Sequence, residues 1–358
     1  MPKGFKSRFF RRMEEFDASV SAGLKREAAA KQDAPLPEAV DLTPAEVAAL
    51  DPALFTSAGF DEKQAEAVAY SNYSYWASTF KNFWRNKAAR FLILALLLII
   101  GFTLVQPLLP GQRDPNLINN DEAGMYIRNR QPDAEYLFGT NQIGQDLWSR
   151  VWAGTRTSLF IGVVVALSDL VVGLIIGMIW GYVRKVDKLF TEIYNIISNI
   201  PQTLILILVS YILRPSMKTI IISMCVVGWM AMARFVRNQV VIFRDRDFNL
   251  ASRCLGSSTG RIILKNLLPQ MVSVIMLQTA LAIPGAIGDE VFLTYIGLGL
   301  PTATPSLGNL VDAGRVLMMQ KDLRYQLIFP AAVIAFITIA FYIIGNAFSD
   351  AADPKNHV

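Results

Sequence analysis

Six stretches of this chain are apolar enough and long enough to cross a lipid bilayer, and nothing else in it restricts the fold as much. A helix needs about 20 mostly apolar residues to span the hydrocarbon. Residues 91–110, 158–183, 189–213, 219–235, 268–296 and 326–348 meet or nearly meet that length. The fourth is the shortest between charges, bounded by Lys218 and Arg234, yet its core IIISMCVVGWMAMA is too apolar for a surface loop. A bilayer offers no water to backbone groups, so such segments must be helices that satisfy their own hydrogen bonds. The expected fold class is an all-α integral membrane protein with six transmembrane helices, and a content of 53% hydrophobic and 18% charged residues agrees.

Six spans put both termini on one side. The segments on the terminal side hold 24 of the Lys and Arg residues and the opposite segments hold 10, so the positive-inside bias makes both termini cytosolic. The juxtamembrane residues alone give the same answer, with Lys81, Arg85, Lys87 and Arg90 before the first span and Arg184, Lys185 and Lys188 after the second. The expected organisation is a cytosolic N-terminal tail (1–90), a first transmembrane helix (91–110), an extracytoplasmic segment (111–156), a core domain (157–349) and a short cytosolic C-terminal tail (350–358).

The tail carries 13 basic and 12 acidic residues, and Thr43-Pro44-Ala45-Glu46 reads as a capping box opening a short helix near 44–50. A second short helix is expected near 61–70. Phe5, Phe9, Phe10, Met13 and Phe16 interleave with basic residues as an interfacial helix would, while Trp76, Phe80, Phe83 and Trp84 suit an aromatic belt. No apolar core follows the basic start MPKGFKSRFFRRMEEF, so no signal peptide is expected. In the extracytoplasmic segment, Asp146, Arg150 and Arg156 are placed to form ion pairs that fix the entry into the second span.

Several function classes are excluded. One histidine (His357) and two scattered cysteines (Cys225 and Cys254) make neither a zinc site nor a disulfide framework. The net charge of +5 follows the membrane rather than one basic face, so nucleic acid is not an expected partner. No catalytic constellation is present, and no G-x-x-x-x-G-K-[ST] phosphate loop either. The GLGLP run at 297–301 lacks the strand and helix that a nucleotide loop needs, and reads as flexible backbone at the membrane boundary. The chain is expected to hold no catalytic residue, metal or cofactor of its own.

The segment DFNLASRCLGSSTGRIILKNLLPQ, residues 247–270, is different in kind from an ordinary connecting loop. Its apolar residues recur as in two short helices. Asp247 opens the first, with Phe248, Ala251 and Leu255 on one face; Gly256 ends it; Ser257 or Ser258 starts a second, through Ile262, Ile263 and Leu267 to Pro269. On the cytosolic side it is built to be gripped by another protein. Ionisable residues inside spans are costly and worth naming: Asp169, the neighbouring pair Asp289 and Glu290, and Glu192 nearer the interface. They suit a polar path or gate, or simple interhelical hydrogen bonding. Pro201 and Pro284 are placed to bend the third and fifth spans.

Four stretches resemble a known family, the integral-membrane permease subunits of ABC importers, and specifically the C-type subunit of oligopeptide and dipeptide systems. They are FGTNQIGQDLWSRVWAGTRTSL, GWMAMARFVRNQVV, the 247–270 segment and GDEVFLTYIGLGLPTATPSLGNL; the closing FSDAADPK is also similar. The resemblance implies an ABC type I importer permease fold in a prokaryotic cell membrane. It makes 247–270 the EAA motif that sits in a cleft on an ATPase subunit, with Ala251, Ser252, Arg253 and Gly256 on the motif and Arg261, Leu268 and Pro269 in its second half. The acidic residue that names the motif falls at Leu250, so the corresponding charge contact is missing or supplied by Asp247 or Asp245. Implied partners are a homologous permease subunit completing a heterodimer, two ATPase subunits carrying ATP and Mg, an extracytoplasmic solute-binding protein and a peptide substrate. Related permeases carry nickel complexes, glutathione or other small solutes. A different class, the ion-coupled secondary transporter, would use Asp169 and Glu290 as ion sites and leave the 247–270 segment without a purpose.

Overall fold

A computed structural model describes residues 75–213 and 216–352. The helices expected near 44–50 and 61–70, and the aromatic and basic run from Phe5 to Phe16, lie outside the described residues. Helix α1 (Tyr75–Arg85) leads into α2 (Lys87–Val105) through Asn86, whose side chain accepts from the Ala88 and Ala89 N–H groups at 3.1 Å. Phe83 and Ala89 pack against Ala347 and Ala351 near the end of the last helix. Residues 75–85 and 87–90 are therefore helical, and Phe83 and Ala89 anchor them on the bundle.

Helix α3 (Leu147–Tyr182) is 36 residues long and starts well before residue 158. Its cap explains the early start, because the Asp146 carboxylate accepts from the Ser149 N–H at 3.0 Å and the Ser149 hydroxyl at 2.7 Å. The ion pairs expected among Asp146, Arg150 and Arg156 do not form. Arg150 donates instead to the carbonyls of Pro115 and Thr302, at 3.1 and 3.0 Å, and Arg156 to the Thr103 carbonyl at 2.9 Å. Backbone carbonyls left over by turns and helix ends compete well for guanidinium donors, and here they bind the outer segment to the bundle.

The third span is broken. Helices α4 (Arg184–Ser198) and α5 (Gln202–Ile212) meet at 74° across Asn199, Ile200 and Pro201. Proline disfavours helical geometry in the residue before it and donates no hydrogen bond, so the chain turns there. α4 is amphipathic and buries no residue, but it is pinned to α6 (Met217–Arg244): Arg237 grips Asp187 with two nitrogens at 2.8 to 3.0 Å. Among the described residues, five helices are long and apolar enough to cross a membrane, or six if the bent pair counts as one span.

The remaining elements are α7 (Asp247–Cys254), α8 (Thr259–Tyr295), α9 (Leu307–Arg315) and α10 (Tyr325–Ala352). α8 continues through Pro284, and α10 through Pro330. The centre of the bundle is the α3–α6 pair. Gly173, Gly177 and Gly181 recur every fourth residue on α3, and a Cβ at Gly177 would lie 2.5 Å from the Ala233 carbonyl oxygen. Small residues at this spacing let two helix backbones approach, the usual device where lipid supplies no hydrophobic drive. Met178, Met232, Val236 and Val240 fill the remaining space, joined by Ile262, Leu267 and Met271 of α8.

Residues 109–146 and 296–324 share one end of the bundle. There Tyr325 Oη lies within hydrogen-bond reach of the Arg130 and Thr140 carbonyls, at 2.9 and 2.7 Å. The 247–270 segment occupies the opposite end, where Arg244 donates to the Gly181 carbonyl at 2.6 Å.

Candidate functional site

The 247–270 segment folds as a hinge-linked pair of helical arms. α7 stops in a left-handed glycine cap. Gly256 has φ +77°, its N–H donates to the Arg253 carbonyl at 2.9 Å, and the Ser257 N–H reaches back to the Ser252 carbonyl at 3.0 Å. This double bond pattern satisfies carbonyls that the helix end leaves free, and it suits glycine because a Cβ disfavours positive φ. Ser258 precedes the second arm but forms no side-chain cap. That arm does not end at Pro269 as a short helix. It is the first part of α8, which runs on without a break through a π-helical turn at Ile262–Leu267, in which the Leu268 N–H bonds the Ile263 carbonyl five residues back. The turn sits just before Pro269, whose ring would crowd the Lys265 carbonyl in a regular α-helix.

Sequence periodicity did not single out the residues that hold the arms together. Asn249 is fully buried and donates to the Phe243 carbonyl at 2.8 Å. Asn266, from the second arm, donates to Asn249 Oδ1 at 3.2 Å and lies 3.0 Å from Ser252 Oγ. The only legible signal is polarity at a position the helix turns inward. With Asn249 inside, the apolar residues of α7 face out: Phe248 and Leu250 are 44% exposed and Leu255 is 86% exposed, with Ala251 exposed between them. Arg261 and Pro269 are exposed as well. Arg253 stacks 5.2 Å from the Tyr182 ring and donates to the Arg244 carbonyl at 3.1 Å, so it is partly committed within the chain. Asp245 is committed too, paired with Arg184 at 3.0 Å and Arg244 at 3.2 Å. No ion pair to Asp247 forms among the described residues, which leaves it the freer of the two acidic groups near Leu250.

The carboxylates of the spans separate into two environments. Asp169 and Asp289 line one cavity of about 160 Å³ between α3, α5, α6 and α8, together with Gln202, Gly228 and Gln278. Glu290, next in sequence to Asp289, points away from it. It is fully buried in a network in which Ser306 Oγ lies 2.7 Å and Ser158 Oγ 3.1 Å from its oxygens, with the Gly308 N–H at 3.3 Å. Ser158 in turn accepts from the Leu307 N–H at 3.0 Å. The first turn of α9 is thus satisfied by a carboxyl from α8 and a hydroxyl from α3, a favourable match to the positive end of a helix. Gly308 keeps that approach open, since a Cβ there would lie 2.5 Å from Glu290 Oε1. Glu192 is exposed on α4 and belongs to neither environment.

Comparison with known proteins places the chain. Residues 173–358 match the family model described as binding-protein-dependent transport system inner membrane component. The oligopeptide transport system permease protein AmiD of Streptococcus pneumoniae is 36% identical over 83% of this chain and 95% of its own length. The chain belongs to this permease family. The dipeptide permease protein DppC and the oligopeptide permease protein OppC of Bacillus subtilis are each 33% identical, covering 82% and 84% of this chain and 90% and 97% of their own. A solved inward-facing MetNI methionine ABC transporter covers 56% of this chain and 96% of its own chain at 19% identity, with a TM-score of 0.46. By its family model and these permease relatives, the protein is a multi-pass ABC importer permease subunit of the oligopeptide and dipeptide branch. Two features of the permease stand out among the described residues: the surface element α7 with its glycine cap, and the polar cavity of Asp169 and Asp289.

Proposed function

We propose that this permease is the membrane-spanning half of an ATP-driven importer of oligopeptides or dipeptides, and that α7 and the start of α8 couple it to a separate ATPase subunit. In this reading both termini and the 247–270 segment are cytosolic. A homologous permease completes the pathway, two ATPase subunits dock beneath, and a solute-binding protein delivers peptide from outside. The observation that carries the proposal is the exposed apolar face of α7, held by buried Asn249 rather than by its own hydrophobic residues. A helix that buries its polar residue and presents Phe248, Leu250 and Leu255 is shaped to complete a contact with another protein.

Closure of the ATPases on ATP would then move α7 as a rigid body and bias the bundle between inward-open and outward-open packings. Only a difference in how the two packings engage the ATP-bound partner makes that movement productive. Asp247, unpaired and one turn from Leu250, is the group to meet a basic residue of the ATPase.

Leu255→Glu is the cleanest test, because this side chain is almost wholly exposed and its replacement leaves the internal contacts of the arms intact. The expected result in the reconstituted complex is a permease that inserts normally but loses at least about tenfold of peptide uptake and of transport-linked ATP hydrolysis, the equivalent of about 1.4 kcal/mol at the contact. Wild-type uptake and ATPase docking in this variant would sink the coupling assignment. Arg253→Glu is expected to lower uptake as well, although it also breaks the contact with Tyr182.

A further inference from the structure

The cavity shared by Asp169 and Asp289 holds two carboxyl groups and no basic side chain to pair with them. Asp169 is only 8% exposed, and its Oδ1 has no hydrogen-bond partner. No Lys or Arg is among the residues that line the cavity; its other polar groups are the carboxamides of Gln202 and Gln278. Gly228 lets α6 pass close against this carboxyl group, since a Cβ there would fall onto the Asp169 oxygens. A buried carboxylate without donors is expensive inside a membrane, and a proton or a cation entering the cavity relieves it.

The size and the ligands say what kind of cation fits. About 160 Å³ leaves room for an ammonium head with its adjoining carbon atoms beside the two carboxyl groups. Among the described residues no group of three His, Cys, Asp or Glu side chains is arranged to hold a metal ion. We propose that the Asp169–Asp289 cavity is an ammonium subsite that takes the protonated amino terminus of a peptide in transit. This rests on the peptide reading of the transporter and adds to it. An α-amino group is largely protonated at neutral pH. Every unblocked peptide has one, so a subsite for it gives grip without selecting any side chain.

The test uses the whole importer in proteoliposomes, with the binding protein preloaded to saturation with either labelled trialanine or its N-acetyl form. The wild type is expected to carry the free amine at least about tenfold faster. In Asp169→Asn, and separately in Asp289→Asn, the free-amine rate should fall toward that of the acetylated peptide while the acetylated rate stays within about twofold. Gly228→Ala, which fills the space at the carboxylate, should shift the ratio the same way. Equal rates for the two peptides in the wild type, or an undiminished preference in both Asp variants, overturn the subsite while leaving the peptide transporter standing. A wild-type complex that carries neither peptide overturns the peptide reading itself, and the subsite with it. Asp289→Asn decides the matter if Asp169→Asn does not assemble.

Discussion

At the scale of single residues, Asp289 and Glu290 show how little a local sequence says about a carboxylate. They are adjacent, both acidic and both inside an apolar run, and a sequence reading treats them alike. A helix turns about 100° per residue, so one faces the polar cavity and the other faces α3 and α9. What fixes Glu290 is donors far away in the chain, Ser158 and Ser306, 132 and 16 residues distant. Glu290→Gln should retain the volume but set an amide N–H₂ against groups that already donate. Hydrogen bonds to buried charged or strongly polar groups are worth about 1.5–3 kcal/mol each. We expect a lower unfolding midpoint for the purified permease, with Ser306→Ala falling between this variant and the wild type. A midpoint unchanged in both would show that the network is not what seats α9.

Elements follow from simpler rules, and more of them could be read in advance. The apolar runs announced α2, α3, α6, α8 and α10, and Gly256 announced the end of α7, because length, apolarity and a residue tolerant of positive φ are local properties. A bend at Pro201 was legible for the same reason. Its angle was not, since that depends on the Asp187–Arg237 pair and on what α4 finds to lie against. The glycines at 173, 177 and 181 have the spacing of a packing stripe, but nothing local to them names α6 as the partner. Gly177→Leu should drive a branched side chain into the Ala233 carbonyl and separate α3 from α6. The expected outcome is failure to accumulate in the membrane, measured by quantitative immunoblot, whereas Gly101→Leu, with nothing near its Cβ, should accumulate normally.

The outer segment gives a pH-dependent case at the same scale. Asp133 accepts the Tyr136 N–H at 2.7 Å, the Arg130 Nε at 2.6 Å and the Glu135 N–H at 2.8 Å. These bonds, the Tyr136 N–H foremost, hold its carboxyl below the usual range. A lowered carboxyl stabilises the folded segment fully above its ordinary value of about 3.9, and that contribution is lost as pH falls through the lower folded value. Hydrogen exchange at the Glu135 and Tyr136 amides, corrected for the intrinsic rate, should accelerate on acidification below about pH 4. Asp133→Asn should abolish that dependence; the same acceleration in the variant would assign it to another group.

At the scale of the whole molecule, the two ends of the bundle are joined by one continuous element. α8 begins beside the glycine cap and passes the Asp289 cavity. It is bonded through Glu290 to α9 at the far end. Its 37 residues make a rod about 55 Å long at 1.5 Å per residue. This continuity was hidden in the sequence by Pro269, which reads as a stop and is accommodated instead by the π turn. That turn has a consequence for timing between the ends. A π turn holds one residue more than an α turn, so winding it back to regular helix would advance the phase of everything beyond it by about 100° and 1.5 Å. A fault of one residue at Ile262–Leu267 therefore fixes the angular setting of the whole rod, and Pro269, whose ring opposes a regular helix there, keeps Asp289 in register with Asp169.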